Sequence, residues 1–160
     1  MAEYWDLYDK ERGSVGKLHR RGDPLPEGCY HLVVQVWVRR DDGRYLISQR
    51  HPAKMFPLFW ECSGGGVVAG EDSLTSARRE LAEEVGLALP AEAFEHVNAF
   101  TIDDAQAHYD TYICRWTGEL RELTLQDIEV VDAKWATPEE IRALCDDGKF
   151  MIPKEYIPFR

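Results

Sequence analysis

The chain has 160 residues, a formal net charge of −10 at pH 7 and 44% hydrophobic residues. This length matches one domain with a substantial core, and the acidic balance argues against a general binder of nucleic acid or anionic membranes, because both require a basic surface. The four cysteines are widely spaced without a CxxC pair, and the N-terminus has no apolar run. We therefore expect one domain over residues 1–160 in a reducing cytoplasm, without a membrane span.

The first part of the chain is predicted to be strands joined by turns. A short strand is expected at residues 4–8, a turn at 13–16 and a loop rich in glycine and proline at 20–28. Alternating residues at 30–38 predict a strand with one apolar face. A turn at Asp41-Asp42-Gly43 then leads into a strand at 45–49, which is followed by a loop at 51–58.

An amphipathic helix is predicted behind the Gly64-Gly65-Gly66 loop. Asp72 or Ser73 can cap its first turn, and Gly86 stands where a helix commonly ends. The apolar stripe that would face the core consists of Leu74, Ala77, Leu81 and Val85.

Three carboxylates crowd onto the same helix, at Glu80, Glu83 and Glu84. Residues three and four apart are neighbours on a helix, so these side chains repel one another. A divalent cation offsets that repulsion, and Mg²⁺ favours hard oxygen ligands while keeping sites for water and phosphates. The pattern therefore indicates a magnesium site, for which a solvated acidic helix face is the structural alternative.

The rest of the chain predicts further strands and a second helix. Strands are expected at residues 99–102, 109–117 and 129–136. Thr137, Pro138 and Glu140 form a capping box that opens a helix. Strands interleaved with two helices indicate a layered α/β domain.

The segment GGVVAGEDSLTSARRELAEEVGL at residues 65–87 matches the Nudix box without a departure. The chain is accordingly identified as a member of the Nudix hydrolase superfamily. The resemblance implies an α/β (α+β) Nudix fold, in which a mixed β-sheet is sandwiched between α-helices. Several short segments outside the box are similar to the Nudix branch of isopentenyl-diphosphate isomerase, namely Asp6-Leu7-Tyr8-Asp9, Gly16-Lys17, His19-Arg20-Arg21-Gly22, His31-Leu32, Gln49-Arg50 and Phe56-Pro57.

The resemblance implies hydrolysis of a nucleoside diphosphate linked to another group, with Mg²⁺ as cofactor and Mn²⁺ as an alternative. Bound Mg²⁺ would neutralise the diphosphate and lower the pKa of a water. The implied metal ligands are Glu80, Glu83, Glu84 and a backbone carbonyl of Gly64 or Gly65. Arg79 would hold the glutamates by salt bridges.

Other roles stay open at this point. The general base is either Glu129, which precedes a late strand, or Glu80 within the box. Glu71 is expected to brace the glycine loop through its backbone N–H groups. Glu61 could face the metal or the substrate, and His31 is more readily structural than metal-binding.

Candidate substrate contacts come from residues that lead into the glycine loop. Arg50 and Lys54 could bind phosphate oxygens. Trp60 could stack on a base, although aromatic residues in strands more often belong to the core.

Two rival functions come from other classes. An isomerase of isopentenyl diphosphate needs a catalytic cysteine, and the matching position falls near Gly65, whereas Cys62 lies too early. A binding module without turnover would not require three clustered carboxylates. We therefore expect a hydrolase of a small-molecule diphosphate, without nucleic-acid or membrane partners and with a homodimer left open.

Overall fold

The computed structural model describes residues 1–159. Within that range it contains nine strands and two α-helices. The strands are β1 (Tyr4–Tyr8), β2 (Ser14–Arg20), β3 (His31–Arg39), β4 (Tyr45–Arg50), β5 (Trp60–Glu61), β6 (Ser63–Gly66), β7 (Phe94–Ile102), β8 (Ala107–Arg115) and β9 (Val130–Ala136). The helices are α1 (Ser73–Val85) and α2 (Pro138–Asp146), and short 3₁₀ turns lie at Ala91–Ala93, Leu120–Glu122 and Lys154–Tyr156.

The strands form an antiparallel hairpin, β1–β2, and a mixed sheet built on β3. On one side β3 runs parallel to β8 along its whole length. On the other side the middle of β3 pairs antiparallel with β6, from Val33 opposite Gly66 to Val36 opposite Ser63. β4 is flanked by β5 and β9. This topology places the glycine-rich β6 beside the central strand.

The alternation along β3 divides the core into two layers. Val34, Val36 and Val38 pack with Leu81 and Val85 of α1 on one face. On the opposite face, Trp37 packs in a second cluster with Tyr45, Ile47, Cys62, Ala136, Ile141 and Phe150. The mixed sheet therefore lies between α1 and α2, which confirms the predicted fold class.

The capping residues predicted for the two helices are also confirmed. Asp72 caps α1 by accepting a hydrogen bond from the Thr75 N–H at 2.8 Å. Gly86 ends α1 in the left-handed conformation, with φ of 76°. Thr137 and Glu140 form the reciprocal capping box of α2, with Pro138 in its first turn.

The structure corrects several of the predicted elements. The strand predicted at 99–102 begins five residues earlier, at Phe94, and the strand predicted at 109–117 is Ala107–Arg115. The predicted turn at residues 13–16 ends sooner, because Ser14 already begins β2. The glycine-rich segment, predicted as a loop, is instead β6, since its pairing with β3 outweighs the low strand propensity of glycine. In the described residues, no helix combines the length and apolar character needed to cross a membrane.

Candidate active site

The contact between β6 and α1 depends on the absence of a side chain at Gly65. A Cβ atom at this position would lie 2.5 Å from Oε1 of Glu80. Glycine therefore allows the glutamate face of α1 to approach the backbone of β6. The glycine loop and the acidic helix of the sequence motif form one structural unit.

Arg79 binds three of the carboxylates around α1. Its guanidinium contacts Glu71 at 3.2 Å, Glu80 at 3.1 Å and Glu83 at 3.3 Å. The predicted salt-bridge role of Arg79 agrees with these contacts. The expectation for Glu71 was wrong, because its carboxylate bonds to Arg79 and to the Ser76 hydroxyl rather than to the backbone of the glycine loop.

Glu84 and Glu80 are the carboxylates that burial perturbs most strongly on α1. Burial raises the pKa of Glu84 well above its ordinary value, and the nearby charges of Glu80 and Glu61 raise it further. The nearby backbone N–H of Gly64 favours the charged carboxylate and opposes this rise in the pKa of Glu84. Burial also raises the pKa of Glu80, against the attraction of Arg79. Negative charge at this position is therefore costly without a cation.

Two ion pairs bring positive charge to the same region. Arg50 binds Glu61 at 3.0 Å, and its Nε donates to the Met55 carbonyl at 2.8 Å, which fixes the loop after β4. Lys54, on that loop, forms an ion pair with Glu129. The structure thus brings Glu61, Glu129 and both predicted phosphate-binding cations together, although they are distant in sequence.

A cleft of about 270 Å³ is lined by Arg50, Lys54, Glu61 and Glu84, whereas Glu80, Glu83 and Glu129 lie outside its lining. Its lining consists of Arg21, Val33, Val34, Gln35, Arg50, Lys54, Glu61, Cys62, Ser63, Gly64, Gly65, Glu84, Tyr109, Met151 and Ile152. Trp60 does not line it: the ring packs against the α2-side core, and the Lys134 ammonium lies 4.4 Å from its centroid. A larger cleft of about 680 Å³ lies near Arg39 and Arg115 but contains none of the box glutamates.

The donor chemistry where α1 meets β6, beside the cleft, suits a hard divalent cation. Carboxylate oxygens of Glu80 and Glu84 and backbone carbonyls of β6 are the ligand types that Mg²⁺ prefers. Within residues 1–159, no three His, Cys, Asp or Glu side chains meet closely enough to form a finished metal site. The Glu83 side chain is 51% exposed, and its carboxylate shares Nη1 of Arg79 with Glu80.

Some cleft residues were not identified from the sequence. Arg21 comes from the N-terminal hairpin and reaches the cleft only because that hairpin packs beside it. Gln35 accepts a hydrogen bond from the Thr111 hydroxyl at 3.2 Å in a buried position. The signal for Gln35 was present, since it is a polar residue within an apolar strand. Nothing in the sequence marked Arg21 as distinct from Arg20.

His31 has the surroundings of a structural residue. Its ring stacks on Trp5 with centroids 4.0 Å apart. Burial is the main cause that lowers its pKa to about 4. The side chain is absent from the cleft lining, which agrees with the structural role expected for it.

Comparison with known proteins places this geometry in a family. The family model of the NUDIX domain matches residues 30–154. An uncharacterised Nudix hydrolase of Listeria monocytogenes is 34% identical over 151 residues, covering 93% of this chain and 88% of that protein.

Solved structures share the fold. The Deinococcus radiodurans protein DR0079 superposes with a TM-score of 0.76 at 25% identity, covering 92% of this chain and 91% of that one. A bifunctional NMN adenylyltransferase/ADP-ribose pyrophosphatase of Francisella tularensis, solved with AMP and a manganese ion, gives 0.63 at 21% identity over 80% of this chain and 39% of that one. Placement in the isomerase-like branch stays a prediction. By its family match and its relatives, the chain belongs to the Nudix hydrolase family.

Proposed function

We propose that the cleft catalyses Mg²⁺-dependent hydrolysis of a diphosphate bond in a nucleoside diphosphate linked to another group. The observation that carries this proposal is the placement of Glu84 and Glu80 against β6, with Arg50 and Lys54 close by. Acidic oxygens and cations in one cleft suit an anionic substrate that arrives with a metal ion.

Glu80, Glu83 and Glu84 are the proposed metal ligands, together with the backbone carbonyl of Gly64. The bound ion would neutralise the diphosphate and lower the pKa of a water. Rotation of Glu83 away from Arg79 breaks only a partly exposed ion pair, which costs little. Arg79 keeps its contacts with Glu71 and Glu80 and so holds the helix face in position.

Arg50 and Lys54 are the proposed phosphate-binding residues. The planar guanidinium of Arg50 suits phosphate oxygens, and Glu61 already orients it at 3.0 Å. Lys54 bonds to Glu129 in the free protein. A phosphate that takes over Lys54 would leave Glu129 able to accept a proton from the attacking water. We therefore favour Glu129 over Glu80 as general base.

Several broader features belong to the same proposal. We place the whole of residues 1–160 in one catalytic domain that works in the cytoplasm, with a homodimer left open. Mn²⁺ is the second cation to test, since the F. tularensis protein of the same fold was solved with manganese.

The direct test is a panel of diphosphates incubated with Mg²⁺ or Mn²⁺ and scored for released phosphate or nucleotide. The panel contains nucleoside triphosphates, oxidised nucleoside triphosphates, nucleotide sugars, dinucleotides, ADP-ribose and isopentenyl diphosphate. We expect metal-dependent hydrolysis of at least one nucleotide and none in EDTA. Rearrangement of isopentenyl diphosphate without phosphate release would favour the isomerase, and tight binding without turnover would favour a binding module.

A further inference from the structure

Arg21 gives the cleft a positive side chain from outside the segment that matches the NUDIX domain. The matched segment is 30–154, whereas Arg21 directly follows β2. It lines the same cleft as Gly65, Glu84 and Tyr109. The N-terminal hairpin is thus part of the candidate active site.

Specific contacts hold the hairpin beside the Nudix box. The Ala69 N–H donates to the Tyr4 carbonyl at 2.8 Å, and the Gly70 N–H donates to Oδ2 of Asp6 at 3.0 Å. A Cβ atom at Gly66 would lie 2.8 Å from Nε1 of Trp5, so the hairpin packs directly on β6. The position of Arg21 is therefore coupled to the position of the glycine strand.

The packing of the hairpin puts Arg21 toward the Gly66 end of β6, since Arg21 lies close enough to His31 at the start of β3 for its charge to lower the pKa of that ring. Trp5 of the hairpin lies against Gly66, at one end of β6. Arg50 binds Glu61, which precedes the other end. Glu84 lines the cleft beside Gly64 and Gly65, in the middle of β6. An elongated anion lying over Glu84 would meet positive charge on both sides.

Arg21 is also the most exposed of the three cations. It bonds to Glu3 at 2.9 Å, and its side chain is 58% exposed, compared with 13% for Arg50 and 27% for Lys54. Exposed ion pairs contribute little, so a phosphate oxygen can replace Glu3 without leaving a buried carboxylate unpaired.

We infer that Arg21 binds a phosphate oxygen of the diphosphate substrate, at the end of the cleft opposite Arg50 and Lys54. This inference rests on the proposed function, since it takes a diphosphate as the occupant of the cleft. It makes the N-terminal hairpin a determinant of substrate affinity in this protein.

The test compares Arg21→Met with Arg20→Met, its neighbour on β2, which is exposed and does not line the cleft. Two readouts are used: steady-state kinetics on the best substrate of the panel, and calorimetric titration with ADP in Mg²⁺. We expect Arg21→Met to raise both KM and the Kd for ADP about 10-fold or more, the size expected for a lost charge-assisted hydrogen bond. Its kcat and Tm should stay near wild type, and Arg20→Met should change neither readout.

Glu3→Gln separates phosphate binding from hairpin packing. It removes the ion pair with Arg21 but leaves the guanidinium in place, so we expect a Kd for ADP equal to or tighter than that of wild type. The inference would be overturned if Arg21→Met and Arg20→Met gave the same KM and the same Kd for ADP. It would also be overturned if Glu3→Gln weakened ADP binding as much as Arg21→Met does. Arg21-dependent ADP binding without turnover of any panel compound would sustain it while overturning the proposed function. A wild-type protein that neither hydrolyses the panel nor binds ADP would overturn both.

Discussion

Glu84 is the carboxylate of the site whose negative charge is least favourable, because it is buried among other acidic groups. Its carboxylate is buried and lies near the charges of Glu80 and Glu61. A buried charge in such surroundings either takes up a proton or requires a cation. The same property that makes Glu84 unfavourable in the free protein makes it a suitable metal ligand.

Neutral variants of the glutamates should separate catalysis from folding. We expect Glu84→Gln and Glu83→Gln to lower kcat by more than about 100-fold, beyond the loss seen for residues that only support a metal ligand. Each variant should keep the circular dichroism spectrum of wild type, because the amide is isosteric with the carboxyl. Glu139→Gln, an exposed change in the first turn of α2, is the matched control. Full activity in both box variants would refute the assignment of metal ligands.

Glu129 allows a separate test of the general base. Loss of a general base lowers rates by about 10²–10⁴-fold, so Glu129→Gln should reduce kcat by that order while leaving metal affinity unchanged. Lys54→Met should mainly raise KM, because the lysine is assigned to phosphate. Metal affinity is measured by Mn²⁺ titration. If Glu80→Gln lowers kcat to this extent with metal binding intact and Glu129→Gln does not, the base is Glu80.

At the scale of elements, local signals predicted α1, α2 and β3 because each has its own periodicity or caps. Asp72, Gly86 and the Thr137–Glu140 box act within a few residues of their own position. The strand β6 could not be predicted in this way, since Ser63–Gly66 becomes extended through pairing with β3.

The same distinction applies to the site. The box glutamates and Arg79 were identifiable because they share one helix. Arg21 was missed because its place depends on how a remote hairpin packs.

The contact between β6 and α1 can be tested with Gly65→Ala. The new Cβ would lie 2.5 Å from Oε1 of Glu80, so the carboxylate must move. We expect a drop in kcat of about 10-fold or more, comparable with the disturbance of a supporting residue. A double-mutant cycle with Glu80→Ala gives the control, because Gly65→Ala should add little once that carboxylate is gone. Equal effects of Gly65→Ala in both backgrounds would show that Glu80 does not transmit the effect.

For the whole molecule, the raised pKa of Glu84 links stability to pH. The folded value lies above the ordinary value of 4.5, so the folded state binds this proton more tightly than the unfolded state. The proton on Glu84 therefore stabilises the folded state fully below about pH 4.5, and this stabilisation is lost as the pH rises through the raised pKa of the folded protein.

Without metal, the free energy of unfolding of the wild type should therefore fall relative to that of Glu84→Gln as the pH rises from 5 through the raised pKa of Glu84. The measurement is the urea midpoint of each protein in EDTA across this range. The difference between the two proteins isolates Glu84 from the other carboxylates. Identical pH dependence in both would contradict the burial of a charged carboxyl at this position.

The most direct test of the account is a crystal structure of wild type grown in saturating MnCl₂ and recorded with anomalous diffraction of manganese. We predict an anomalous peak between the carboxylates of Glu80 and Glu84 and the backbone of β6, with Glu83 turned away from Arg79. A cleft without anomalous density, with Glu83 still bound to Arg79, would contradict the central claim that these glutamates hold a divalent cation.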